Sequence, residues 1–62
     1  LIALAVAVTT RCDGCISAHA FAAKKAGASK EEIAEALGTA IALNAGAALV
    51  YSTRVLEAFE EL

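Results

Sequence analysis

Cys12 and Cys15, separated by Asp13-Gly14, and His19 one helical turn further on are the residues of this 62-residue sequence best suited to chemistry. They are its only cysteines and its only histidine. Two thiols three positions apart can exchange two electrons by closing a disulfide, and an adjacent imidazole can take up and return the proton. On a helix, positions i, i+3 and i+7 share a face, so all three are predicted to point the same way.

Elements on either side must hold this face in place. Proline is absent and glycine scarce, and strong helix formers dominate, which predicts an all-α chain of three to four helices. Residues 1–8 are apolar at every position and read as a helix buried on most sides. Residues 9–12 read as a short connection. Asp13 is the predicted N-cap of the next helix, which would start near Gly14 and end at Lys24-Lys25 with Gly27 in the C′ position. Ser29-Lys30-Glu31-Glu32 is a capping-box sequence opening a long helical stretch. There, Ile33, Leu37, Ala40, Ile41, Ala48, Tyr51, Val55, Leu56, Phe59 and Leu62 follow helical spacing. Asn44-Ala45-Gly46 predicts a break or kink, with Asn44 as a cap or an amide bonded to neighbouring backbone.

In this arrangement Cys15 falls in the first turn of its helix, where unpaired N–H groups stabilise a thiolate. His19 is within reach to deprotonate it. Cys12, just before the helix, can reach Cys15 to close a disulfide, with Gly14 easing the turn. The division of labour that follows has Cys15 attacking, Cys12 resolving and His19 moving protons. Two other readings remain open beside this one. Cys12, Cys15 and His19 supply three ligands toward zinc, but a structural site takes four and the fourth would have to be a carboxylate, water or another subunit. In the second of these readings the two cysteines are buried and inert beside a core histidine. Haem attachment is excluded because Ile16, not histidine, follows Cys15.

Composition sets the bounds. The chain is long enough for one domain, and a domain of about 60 residues buries only about 60% of its unfolded surface. Yet 60% of its residues are hydrophobic and the mean hydropathy is +0.69. Such an excess calls for burial against other copies or a larger parent chain. The lack of an initiator Met and an opening inside an apolar run lead us to expect residues 1–62 to be a single domain truncated at its N-terminus. With net charge −2 and no basic patch, nucleic acid is not an expected partner. Residues 1–8 and 40–51 are shorter than the about 20 apolar residues of a membrane span, so no membrane partner is expected. A cytoplasmic setting follows, where such a cysteine pair serves redox or metal chemistry more often than it staples a fold. Tyr51 and Arg54 read as an interface aromatic and an ion-paired or solvated arginine.

The run of residues 1–8, then Cys12-Asp13-Gly14-Cys15-Ile16-Ser17-Ala18-His19, then Gly27-Ala28-Ser29-Lys30-Glu31-Glu32-Ile33, resembles the AhpD-like, carboxymuconolactone decarboxylase family over nearly the whole chain. The resemblance implies an all-α fold assembling into trimers or hexamers with sites near subunit contacts. It implies a thiol-dependent hydroperoxide or disulfide reductase with Cys15 peroxidatic, Cys12 resolving and His19 supporting proton transfer. Reductant would come from a dithiol such as a lipoyl group or a thioredoxin-like partner, and no cofactor or bound metal is called for. Family members usually carry a glutamate upstream of the first cysteine, which by position falls before Leu1. They often carry Tyr or His where this chain has Gly14, which removes one member of a proton relay. The decarboxylase branch of the family does not rely on a cysteine pair, so Cys12 and Cys15 argue for the redox branch. A non-redox decarboxylase-like enzyme and a structural or zinc-binding module are the alternatives.

Overall fold

A computed structural model describes residues 1–62. The chain is all-α, with three helices in the order α1 (Ile2–Thr10), α2 (Asp13–Lys25) and α3 (Lys30–Glu60). Helix α1 is the central element: α2 packs on one side of it and α3 on another, while α2 and α3 do not pack on each other. The apolar run predicts a helix buried on most sides, and these two contacts do not achieve that: Ile2 (84% exposed) and Val6 (55%) stay open, because α2 and α3 leave part of its circumference uncovered. Leu4 and Ala7 of α1, with Ala40 of α3, are the buried residues of the chain.

Helix α1 runs two residues further than residues 1–8, through both threonines. Thr9 Oγ1 donates to Ala5 O (2.9 Å) and Thr10 Oγ1 to Val6 O (3.1 Å), so each hydroxyl is satisfied within the helix. The helix then stops at Arg11, which is left-handed (φ 56°, ψ 46°). Arg11 N–H donates to Val8 O and Cys12 N–H to Ala7 O, the paired bonds of a Schellman motif. The same motif ends α2 around Gly27 (φ 89°), where Gly27 N–H reaches Lys24 O and Ala28 N–H reaches Ala23 O. Gly27 therefore occupies the expected C′ position.

Helix α3 opens on the expected capping box. Ser29 Oγ accepts from Glu32 N–H (3.1 Å), and Glu32 Oε1 accepts from Ser29 N–H (2.8 Å). The expected break at Asn44-Ala45-Gly46 does not occur: α3 is one helix of 31 residues, about 46 Å long at 1.5 Å per residue. Asn44 Nδ2 donates to Ala40 O (2.7 Å) one turn back, so its amide supports the helix rather than ending it. Gly46 costs about 1 kcal/mol relative to alanine, too little to interrupt so long a helix.

Helix α1 covers only the first half of α3. Ile33 and Leu37 are half-buried and Ala40 is buried, but residues 41–62 are exposed, Ile41, Leu49, Val55 and Phe59 among them. The molecule measures 53 × 21 × 12 Å with a radius of gyration of 15.8 Å, against about 10.6 Å for a compact domain of this length. Its unbroken course also removes the length argument against a membrane span. An 18-residue window of α3 reaches a mean hydropathy of 1.6, enough by length and composition to cross a bilayer.

Candidate functional site

The turn between α1 and α2 contains no free residue. Arg11 is the left-handed C′ residue of α1, and Cys12 N–H makes the closing bond back to Ala7 O. Cys12 is at the same time the N-cap of α2, with extended backbone (φ −97°, ψ 98°). Its carbonyl accepts the first helical bond, from Ile16 N–H (2.9 Å). Its sulfur accepts the N–H of Cys15 (3.2 Å). The expected N-cap, Asp13, is instead the first residue of α2 and lies exposed in its first turn, where its charge faces the positive helix end. Aspartate is the commoner cap by composition. The Schellman closure of α1 displaces it, because Cys12 must finish one helix and begin the next.

Cys12 and Cys15 are joined in a disulfide with their Cα atoms 5.2 Å apart. Both are half-buried, and His19 is exposed. The expected shared face holds for Cys15 and His19 but not for Cys12, which precedes the helix as its extended N-cap. Cys15 and His19 line one open cleft of ≈ 290 Å³ between α2 and α1, walled by Ala3, Val6, Ala7 and Thr10. Cys12 does not border it. In this oxidised form the hydrogen bond on the Cys12 sulfur comes from the backbone of Cys15 rather than from His19.

Thr10, which reads from the sequence as part of a connection, lines the cleft. Its signal is its place on α1: Ala3, Val6, Ala7 and Thr10 follow i, i+3, i+4, i+7, one helical stripe. Its hydroxyl is tied to Val6 O and Ala7 O, so it gives the wall a fixed polar edge. Tyr51 and Arg54 stay away from the cleft, on the half of α3 beyond α1. There Arg54 stacks over the Tyr51 ring, 4.3 Å from its centroid. No three side chains among His, Cys, Asp and Glu are gathered as a ligand set.

An all-helical chain with a cysteine pair at a helix start and a histidine one turn on is a narrow class. Comparison with known proteins agrees with it: the model of the carboxymuconolactone decarboxylase family matches residues 1–58. The chain belongs to the carboxymuconolactone decarboxylase family, which includes decarboxylases and AhpD-type peroxidases. It is 75% identical to an uncharacterized protein of Haemophilus influenzae over 59 residues, 95% of this chain and 52% of that protein. It is 40% identical to "Uncharacterized protein 4 in cox locus" of Paracoccus denitrificans, over all of this chain and 56% of that protein. An uncharacterized protein of Cupriavidus necator is 36% identical over the whole chain and 55% of its own length. The chain thus spans about half the length of the curated relatives it matches.

Proposed function

We propose that the protein is a thiol-dependent oxidoreductase of the AhpD type, reducing hydroperoxides or disulfides at Cys12 and Cys15. The observation that carries this reading is the Cys12–Cys15 disulfide at the start of α2, with Cys15 and His19 opening on one cleft. In the reduced protein His19 takes the Cys15 proton. The Cys15 thiolate attacks the hydroperoxide: an S–O bond forms, the O–O bond breaks, and the alcohol leaves with the proton returned by His19. Cys12 then attacks the sulfenic sulfur, closing the disulfide and releasing water. A dithiol, lipoyl or thioredoxin-like, restores the pair. The protein works as a homo-oligomer, a trimer or hexamer, in the cytoplasm.

The test is hydroperoxide consumption by the dithiol-reduced protein, with Cys15→Ser expected to lose it entirely. Turnover that survives this substitution would falsify the reading. A second reading follows from the family's own name: a decarboxylase-like enzyme that does not use its thiols. It requires activity unaffected by thiol alkylation, whereas the redox reading requires alkylation to abolish activity.

A further inference from the structure

We propose that copies of this chain assemble head to tail: the acidic, apolar end of α3 in one copy docks on the exposed Phe21 and its two flanking lysines on α2 of the next. The inference rests on the homo-oligomer reading above, and it adds which surfaces meet and why neither pairs with its own kind.

The first surface lies at the C-terminal end of α2. Phe21 is 71% exposed. Lys24 and Lys25 follow it by three and four residues, so both stand one helical turn from the ring. Ala20 and these three side chains border one open hollow of ≈ 590 Å³. Asp13, the acid of α2, is at the opposite end of the helix, about 18 Å from Lys25 along the axis. The second surface is the end of α3. Val55, Leu56 and Phe59 form an apolar stripe at helical spacing, with Phe59 74% exposed. Glu57, Glu60 and Glu61 are exposed around it. Arg54, the nearest cation in sequence, lies over the Tyr51 ring.

The fold keeps these two surfaces from meeting within one chain. Helices α2 and α3 do not pack on each other. Contact between α1 and α3 reaches Asn44, whose amide bonds Thr9. Glu57 comes 13 residues later on the same unbroken helix, ~20 Å further along its axis. An aromatic ring beside two cations and an apolar stripe edged by three anions can therefore join only between copies. Their charges also select the symmetry. An isologous dimer would set each surface against itself, lysines on lysines or glutamates on glutamates, and like charges facing each other across an interface are costly. A head-to-tail contact sets opposite charges together and buries Phe21 and Phe59, rings of the kind that anchor interfaces. The ion pairs add little affinity, but they fix partner and register. Each chain then offers one surface of each kind, the condition for a closed ring.

A carbodiimide, which joins a lysine amine directly to a carboxylate, tests the contact in the unaltered chain. Links from Lys24 or Lys25 to Glu57, Glu60 or Glu61 are expected in gel bands of two or more chains and absent from the single-chain band, read by mass spectrometry after digestion. Charge reversal gives a second readout. Lys24→Glu with Lys25→Glu should raise the concentration at which the assembly forms ~100-fold. Adding Glu57→Lys, Glu60→Lys and Glu61→Lys to the same chain should bring the wild-type mass back, measured by light scattering with helicity checked by circular dichroism. Two results overturn the proposal and leave the homo-oligomer standing: links only elsewhere in an intact oligomer, or a five-substitution variant of native helicity that stays dissociated. These surfaces would then be covered by another partner, or by further length of the kind the curated relatives carry. A wild-type protein of single-chain mass overturns both readings.

Discussion

Cys12 is where the two halves of the site are joined. Its N–H closes α1, its carbonyl begins α2, and its sulfur caps α2 from within the disulfide. Loss of the cap should therefore be separable from loss of the thiol. Cys12→Ser keeps an acceptor at the cap, whereas Cys12→Ala removes it and should cost about 1 kcal/mol. Denaturant unfolding under reducing conditions, where no disulfide contributes, checks the difference. Arg11 offers the opposite case. Its left-handed backbone carries a strain of roughly 1 kcal/mol that glycine would not. Arg11→Gly should stabilise the protein by about that amount, read as a higher melting temperature. The two Schellman turns also show what was legible at this scale. Gly27 advertises a left-handed residue and was placed from the sequence. Arg11 does not, so the sequence predicts the end of α1 two residues too early and the cap of α2 one residue too late.

Helix α3 shows what local signals can and cannot decide. The capping box was readable because both of its bonds are made within four consecutive residues. Its consequence is a pH dependence. The backbone N–H of Ser29 and then its side chain hold the Glu32 carboxyl below the usual carboxylate range, with slight desolvation opposing them. A carboxyl lowered on folding contributes stability above its unfolded value and loses that contribution as the pH falls through its folded value. Helicity followed by circular dichroism should therefore show an acid loss that Glu32→Gln flattens, since glutamine keeps an acceptor oxygen but has no charge to titrate. Asn44 was not readable in the same way. Its amide bonds Ala40 O and, across to α1, Thr9 Oγ1 (2.9 Å). The second contact is a tertiary one between residues 35 positions apart, which no local pattern reveals. Gly46→Ala should raise helix stability by about 1 kcal/mol. Nothing in this chain lies within 4 Å of a Cβ added at Gly46, so a loss of stability instead would mean that a neighbouring chain needs that space.

For the molecule as a whole, surface area is the deciding quantity. The chain exposes 5130 Å², about 1,400 Å² more than the ~3,700 Å² of a compact monomer of 6.3 kDa. A standard interface covers about 800 Å² on each partner. The excess is close to two standard interfaces per chain, an area that either the proposed ring or the further length carried by the curated relatives would cover. The apolar surplus was legible in composition; its location on the far half of α3 was not, because it depends on α1 ending its contact near Asn44. Helix α3 has two apolar alternatives there, a protein neighbour or a bilayer. The polar and charged residues Ser52, Thr53, Arg54 and Glu57 lie among the exposed apolar ones, and the proposed assembly favours the protein neighbour. The protein should then remain in solution without detergent and sediment as a multiple of its chain mass. Val55→Glu with Phe59→Glu, on the exposed far half of α3, should lower that mass by light scattering. The double variant should still form the Cys12–Cys15 disulfide, since both cysteines are held by α1 and α2 rather than by α3. A wild-type protein that sediments at a single chain mass, or that partitions into lipid vesicles, would remove the ring and leave α3 to be covered by other means.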